Sequence, residues 1–216
     1  MAHPDISKMR QVCSKMKRTL LLLIFFFALN NAMAQGKTVI QEIKDFQEDL
    51  TSSFRDPETS PLTAEDQKSF VALDFYPIDT NFRVEAKFIR TPMEVPFEMP
   101  TTTERRPLYV KYGEVYFQLE GREFRMNIYQ NLELISKPEY VDYLFVPFTD
   151  LTNGKGSYSG GRYIDTRIPL GKKIVLDFNK AYNPYCAYNG KYSCPIPPEE
   201  NQLEVEIRAG VKDFEH

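Results

Sequence analysis

The side chains best suited to chemistry are concentrated between Phe148 and Cys194. Two runs carry them, FTDLTNGKGSYSGGRYID from Phe148 to Asp165 and DFNKAYNPYCAYNGKYSC from Asp177 to Cys194. Arg162 offers a planar fork for an anion, Tyr158, Tyr163 and Tyr182 offer ring faces with hydroxyls, and Gly160 and Gly161 allow close backbone approach. With Asp150, Asp165, Asp177, Asn179 and Asn183 to orient the bound molecule, these runs predict a pocket for a small polar or anionic ligand, its charge held by Arg162. The same residues also suit scaffolding. Asn153-Gly154 and Gly160-Gly161 read equally as hairpin and bulge glycines, and Arg162 as the partner of a nearby acid.

Histidine chemistry is nearly excluded, because the chain has only His3 and His216. Ser-His-Asp and Cys-His constellations and histidine-bearing zinc sites go with it. An enzyme built from this chain would rely on carboxylates, and Asp150, Asp165, Asp177, Glu199 and Glu200 supply enough of them for acid and base work on a cell-envelope glycan or ester. Asp150, Thr152 and Asn153 resemble part of a calcium loop, but the alternating ligand order is broken, and side-chain turn bonding accounts for them without metal. No metal site is expected, no phosphate-binding glycine loop is present, and no cofactor is indicated.

Cys186 and Cys194 enclose seven residues. In an exported protein such a pair predicts a disulfide, worth roughly 2.5 kcal/mol by the chain-entropy estimate for so short a loop. Its formation depends on the turn. A two-residue Asn189-Gly190 hairpin would point Cys194 to the wrong face, whereas a three-residue connection would set the cysteines opposite each other. The alternative is a nucleophilic Cys186 thiolate, activated by Lys180, Lys191 or Arg162.

Export is read from Met16 to Gln35. Lys17 and Arg18 precede an apolar run from Leu20 to Leu29, and Ala32-Met33-Ala34 forms a small-residue cleavage site. The run of about 10 residues is short for a membrane span, so cleavage before Gln35 is expected, leaving no stable anchor and a periplasmic or extracellular protein. Residues 1–34 then divide into an upstream extension and a signal peptide, 35–69 form a helical region, and 70–216 form the β-rich core of the same single domain. Removing 1–34 shifts the formal net charge from −3 to −7, which argues against nucleic acid as a partner.

Val39, Ile43, Phe46, Leu50 and Phe54 recur every three or four residues, predicting a helix from about Lys37 to Phe54. Thr63 is positioned to cap a short helix through Ser69. Strand-like runs follow at Phe70 to Tyr76, Phe82 to Ile89, Leu108 to Tyr112, Val115 to Leu119, Phe124 to Tyr129, Tyr143 to Thr149, Arg162 to Ile168, Lys173 to Phe178 and Leu203 to Ile207. Gly113 and Gly121 are read as hairpin turns of a meander. The fold is therefore expected to be mainly β, an antiparallel β-sandwich or partly open β-barrel with an amino-terminal helix. A proline-rich connection at Pro195, Pro197 and Pro198, together with the aromatic content, leaves a third reading as an interaction or structural protein.

Across these positions the chain resembles the bacterial and archaeal family catalogued as domain of unknown function 1684. The carriers are Phe148-Thr149-Asp150 with Thr152 and Gly154, Tyr158, Gly161-Arg162-Tyr163 with Asp165, Asp177-Phe178-Asn179, Ala181-Tyr182-Asn183-Pro184, Cys186-Ala187-Tyr188, Cys194-Pro195 with Pro197, Asn201 with Leu203, and Ala209-Gly210. Arg55-Asp56 and Ser60-Pro61-Leu62 leading to Phe70 extend it upstream. Tyr185 and Val211 depart from the pattern, standing where a second proline and an acid are usual. The resemblance implies no activity, so it marks site residues without giving their roles.

Overall fold

The computed structural model describes residues 37–215. The expected extension and signal peptide lie outside them. The chain divides into two compact units, Met1–Gln41 and Glu42–His216, and the architecture below is that of the second. Among the described residues no helix is long and apolar enough to cross a membrane.

Helix α1, Val39–Arg55, buries Ile43, Thr51 and Phe54 along one stripe and leaves its charged residues outward. Phe54 meets Tyr188 edge to face, with ring centres 4.7 Å apart, in a small cluster that includes Leu62, Leu73 and Val211. The short helix α2, Asp66–Ser69, starts as expected: the Thr63 hydroxyl accepts the Asp66 N–H at 3.1 Å.

Eight strands follow: β1 Arg83–Arg90, β2 Phe97–Glu98, β3 Leu108–Leu119, β4 Arg122–Asn131, β5 Tyr143–Asp150, β6 Arg162–Arg167, β7 Lys173–Asp177 and β8 Gln202–Leu203. Six form one antiparallel sheet in the order β6-β5-β4-β3-β1-β7, with β2 added to β3 and β8 lying parallel to β5. The sheet curls into a half-barrel, with its edge strands β6 and β7 approaching each other. The partly open barrel is therefore the correct one of the two expected architectures. Its interior is filled by alternate residues such as Ala86, Val115, Met126, Val146, Ile164 and Leu176.

Three expected elements differ. Phe70–Tyr76 is irregular, with an isolated bridge between Phe75 and Val211 as its β pairing. Of the alternating run from Leu203, only Gln202–Leu203 is a strand, although Val205 and Ile207 are buried and Glu204 and Glu206 exposed as their alternation requires. Gly113 makes no turn: β3 continues through it, with a bulge between Lys111 and Gly113. A Cβ there would sit 2.6 Å from the Phe88 ring and 2.7 Å from the Ile89 carbonyl oxygen, so this glycine serves the close approach of β1.

β5 is buried on both faces. Leu144, Val146 and Phe148 join the interior, while Phe145 joins a second, aromatic layer with Tyr109, Tyr129 and Tyr163. That outer layer carries the candidate site.

Candidate functional site

Arg162 belongs to the core. Its side chain and that of Asp150 are both 0% exposed, and Nη2 lies 2.7 Å from Asp150 Oδ2. The guanidinium also donates to the carbonyls of Ile207 (2.8 Å), Ala209 and Val211 (3.4 Å). Nε alone lacks an acceptor, and it too is sealed from solvent. The expected anion-holding role fails for a physical reason: a fork already closed on a buried carboxylate and three carbonyls presents no face to a ligand. Gly161, at φ +89°, passes the chain over β5, where a Cβ would lie 2.6 Å from the Phe148 carbonyl oxygen. Asp150 in turn accepts the Thr152 N–H at 2.8 Å and the Ile207 N–H at 3.1 Å, and Asn153 Oδ1 accepts the Asp150 N–H at 2.6 Å. These are the side-chain turn bonds expected of that loop.

The other polar candidates mostly bracket loops. Asp177 accepts from Arg83 at 2.9 Å and from the Asn179 N–H at 3.1 Å. Buried Asn179 exchanges two bonds of 2.9 Å with the backbone of Asp79, and buried Asn183 donates to the Lys212 carbonyl at 2.8 Å. Asp150, Asp165 and Asp177 are bonded to different partners, Arg162, the Tyr143 and Tyr182 hydroxyls, and Arg83. Tyr158 lies beside Cys186, its hydroxyl 3.8 Å from Sγ.

Tyr163, Tyr182 and Asp165 do come together. Tyr163 on β6 and Tyr182 form an antiparallel bridge, with N–H to O distances of 2.9 and 3.0 Å, and their rings meet edge to face at 5.8 Å. The hydroxyls of Tyr143 and Tyr182 both donate to Asp165 Oδ1, at 2.6 and 2.8 Å. Beside them opens a cleft of about 310 Å³, lined by Tyr109, Tyr143, Phe145, Tyr163, Tyr182, Tyr185 and Tyr192, with Leu134, Pro184 and the segment Ser193 to Pro195. None of these lining side chains is a lysine, arginine, aspartate or glutamate. Larger depressions of about 810 and 710 Å³ lie elsewhere on the surface, but their walls are charged side chains such as Arg83, Glu85 and Lys173, or Arg122, Glu204 and Arg208.

Burial raises the Tyr163 hydroxyl well above its ordinary pKa; for Tyr143 and Tyr182 burial acts first and the Asp165 charge adds to it. All three therefore remain protonated donors. The Tyr163 hydroxyl donates a hydrogen bond to the Pro195 carbonyl, fixing one wall of the cleft. Asp165 stands at the rim with part of its surface open, yet the protein packed around it raises its carboxyl pKa, against the lowering effect of the two tyrosine hydroxyls.

Cys194 also lines this cleft, with Cys186 beside it. The two cysteines are free and 3.2 Å apart. Neither expected hairpin occurs: Cys186 sits on a 3-10 turn, Tyr185–Ala187, and its N–H points at Cys194 Sγ from 3.1 Å. The Cys194 thiol hydrogen-bonds the Cys186 sulfur and lowers the Cys186 pKa to about 6 against the opposing effect of burial, with Tyr158 and Thr102 assisting. The same contact pushes Cys194 up. The basic residues expected as activators are engaged elsewhere, Arg162 with Asp150, Lys180 over the Phe46 ring and Lys191 over the Tyr192 ring.

Sequence reasoning missed Tyr109, Tyr143, Phe145, Tyr185 and Tyr192. Their signal is the tyrosine content itself, 13 residues in a chain without tryptophan, spread over segments that only the sheet brings together.

The comparisons accord with this architecture. No curated protein matches the chain. The solution NMR structure of an uncharacterized protein from Haloarcula marismortui is similar at 31% identity and a TM-score of 0.64, over 81% of this chain and 95% of that one. Residues 68–212, which contain every strand and the whole cleft, match the family described as "Protein of unknown function (DUF1684)". With two thirds of its length inside that match, the chain belongs to the DUF1684 family.

Proposed function

We propose that this protein is an exported binding protein whose tyrosine cleft takes a small, neutral, polar-edged ligand with a flat or apolar face. The carrying observation is the lining itself: six tyrosines and a phenylalanine around about 310 Å³, with no charged side chain among them. Ring faces supply apolar contact, and the phenol oxygens, whose protons on Tyr143, Tyr163 and Tyr182 are already engaged, supply hydrogen-bond acceptors. Sealing of Arg162 in the core shifts the reading from an anionic ligand to a neutral one. Export rests on the basic, apolar and small-residue pattern of Lys17 to Ala34.

Tyr185 and Tyr192 meet edge to face with ring centres 5.2 Å apart, and Tyr185 is 43% exposed, so both lie toward the solvent side of the cleft. Neutral sugars and aromatic amides, screened by ligand-observed NMR, are expected to bind the wild type. The double variant Tyr185→Ala/Tyr192→Ala should weaken binding roughly 5- to 100-fold, at about 0.5–1.5 kcal/mol per ring. Undiminished affinity in that variant, or no binding by the wild type, overturns the assignment of the cleft. For export, the amino terminus of the protein recovered from fractionated cells should be Gln35; an intact Met1 in the cytoplasmic fraction overturns it.

A further inference from the structure

We propose that Cys186 and Cys194 are a reactive dithiol that exchanges with disulfides, Cys186 attacking and Cys194 resolving. The geometry is nearly that of the product. The cysteines already touch at 3.2 Å, and a bond needs about 2.05 Å, so closure requires a movement of only about 1 Å. Their surroundings differ in the way such a pair requires. Cys186 is half-buried and the more exposed of the two, whereas Cys194 is 6% exposed.

Hydrogen bonds set the order of attack. Cys186 receives them from the Cys194 thiol and, at 3.8 Å, from the Tyr158 hydroxyl, so its thiolate is stabilised without any basic side chain. Tyr158 itself is pushed up to about 12, which keeps it a donor. The Cys186 charge pushes Cys194 up while Arg105, which donates to the Ser193 carbonyl at 3.0 Å, pulls it down, and the charges of Cys186, Cys194 and Asp213 raise Tyr158. Backbone anchors hold both sulfurs in place. Cys194 N–H donates to the Thr102 hydroxyl at 3.1 Å, and Tyr188 N–H closes the turn around Cys186 on the Tyr185 carbonyl at 3.0 Å.

The exchange balances with a low-molecular-weight disulfide as oxidant. The Cys186 thiolate attacks one sulfur of RSSR, forming Cys186–S–SR and expelling RS⁻. That thiolate takes the Cys194 proton and leaves as RSH. Cys194 sulfur then attacks Cys186 sulfur, forming the intramolecular bond and expelling the second RS⁻, which takes a proton from water or buffer. Two protein thiols are oxidised and one disulfide is reduced to two thiols; excess thiol reverses each step. The proposal stands independently of what occupies the cleft.

The test uses the native full chain in glutathione buffers of graded ratio, quenched with an alkylating agent and digested with trypsin. Cleavage after Lys180, Lys191 and Arg208 places Cys186 on fragment 181–191 and Cys194 on fragment 192–208, with Cys13 on fragment 11–15. Oxidised glutathione should link 181–191 to 192–208. In the reduced wild type, limiting iodoacetamide at pH 7 should label Cys186 about tenfold faster than Cys194, with a rate midpoint well below the roughly 8.5 of a free thiol. In Cys194→Ser, glutathione should remain on Cys186. Two free thiols under excess oxidised glutathione, equal labelling of both, or an unmodified Cys186 in folded Cys194→Ser would each overturn the proposal. The first two are read on the wild type, so the outcome does not depend on a variant folding.

Discussion

Replacing Arg162 with methionine removes a charge while keeping most of the side-chain volume, and so isolates the buried ion pair. Asp150 would be left buried, its side chain 0% exposed, without the guanidinium now 2.7 Å away, and the carbonyls of Ile207 and Ala209 would lose their donors. Breaking a buried pair on one side costs about 3–5 kcal/mol, and unsatisfied carbonyls add to it. Against a domain stability of about 5–15 kcal/mol, that is a large share. With a urea slope of about 2 kcal/mol/M, a loss of about 4 kcal/mol lowers the unfolding midpoint by about 2 M. The informative arm is the double variant Asp150→Asn/Arg162→Met. Asparagine keeps an Oδ1 acceptor for the Thr152 and Ile207 N–H groups but carries no charge, so the double variant should recover about 2 kcal/mol over Arg162→Met. A single-variant loss under about 1 kcal/mol, or a double variant no more stable than the single one, would show that Arg162 is not neutralising Asp150, and would reopen its reading as a ligand-binding residue.

Two further outcomes are expected. Burial raises the folded Asp165 carboxyl above its unfolded value, so the folded state keeps that proton to higher pH. Wild-type stability should therefore fall relative to Asp165→Asn as pH rises from about 4 to the raised folded value, and run parallel to it on either side, as read from paired urea titrations. Gly210 sits at φ +80° with the Ala181 and Phe178 carbonyl oxygens 2.5 and 2.8 Å from where a Cβ would be. Gly210→Ala should cost about 2–4 kcal/mol, seen as a lowered thermal midpoint with the fold otherwise retained.

Most elements were legible because their signals are local. The α1 stripe and the runs of β-branched and aromatic residues in β1 and β4 through β7 depend on near neighbours in the chain. Gly113 was misread because a glycine that ends a strand and a glycine that lets Phe88 close over one look the same in sequence. The choice between sandwich and barrel depends on whether one sheet curls enough to bring β6 toward β7, which no periodicity encodes. At the site, Tyr163, Tyr182 and Asp165 were legible as a cluster since they lie in adjacent runs. Arg162 was misplaced for the converse reason. Its carbonyl partners, Ile207, Ala209 and Val211, come from a segment more than forty residues later, and an arginine's type announces charge but not burial.

Asn201 carries a consequence for the order in which the domain can close. β4 and β5 pair in register only at Tyr129 and Phe145. Two residues further along, that register brings Asn127 opposite Pro147, which has no N–H to donate. The Asn201 side chain fills the gap as a substitute peptide group, accepting the Asn127 N–H at 2.7 Å and donating to the Asn127 and Pro147 carbonyls at 2.9 and 2.7 Å. The seam between the two halves of the sheet is thus sewn by a residue synthesised after both, just as Arg162 waits for residues 207–211. A growing chain holds β4, β5 and β6 unsealed while some seventy more residues emerge after the end of β4, an interval in which a chaperone can still engage the exposed strands. Late stitching of this kind makes residues 201–211 the segment whose arrival first allows the sheet and the buried ion pair to close.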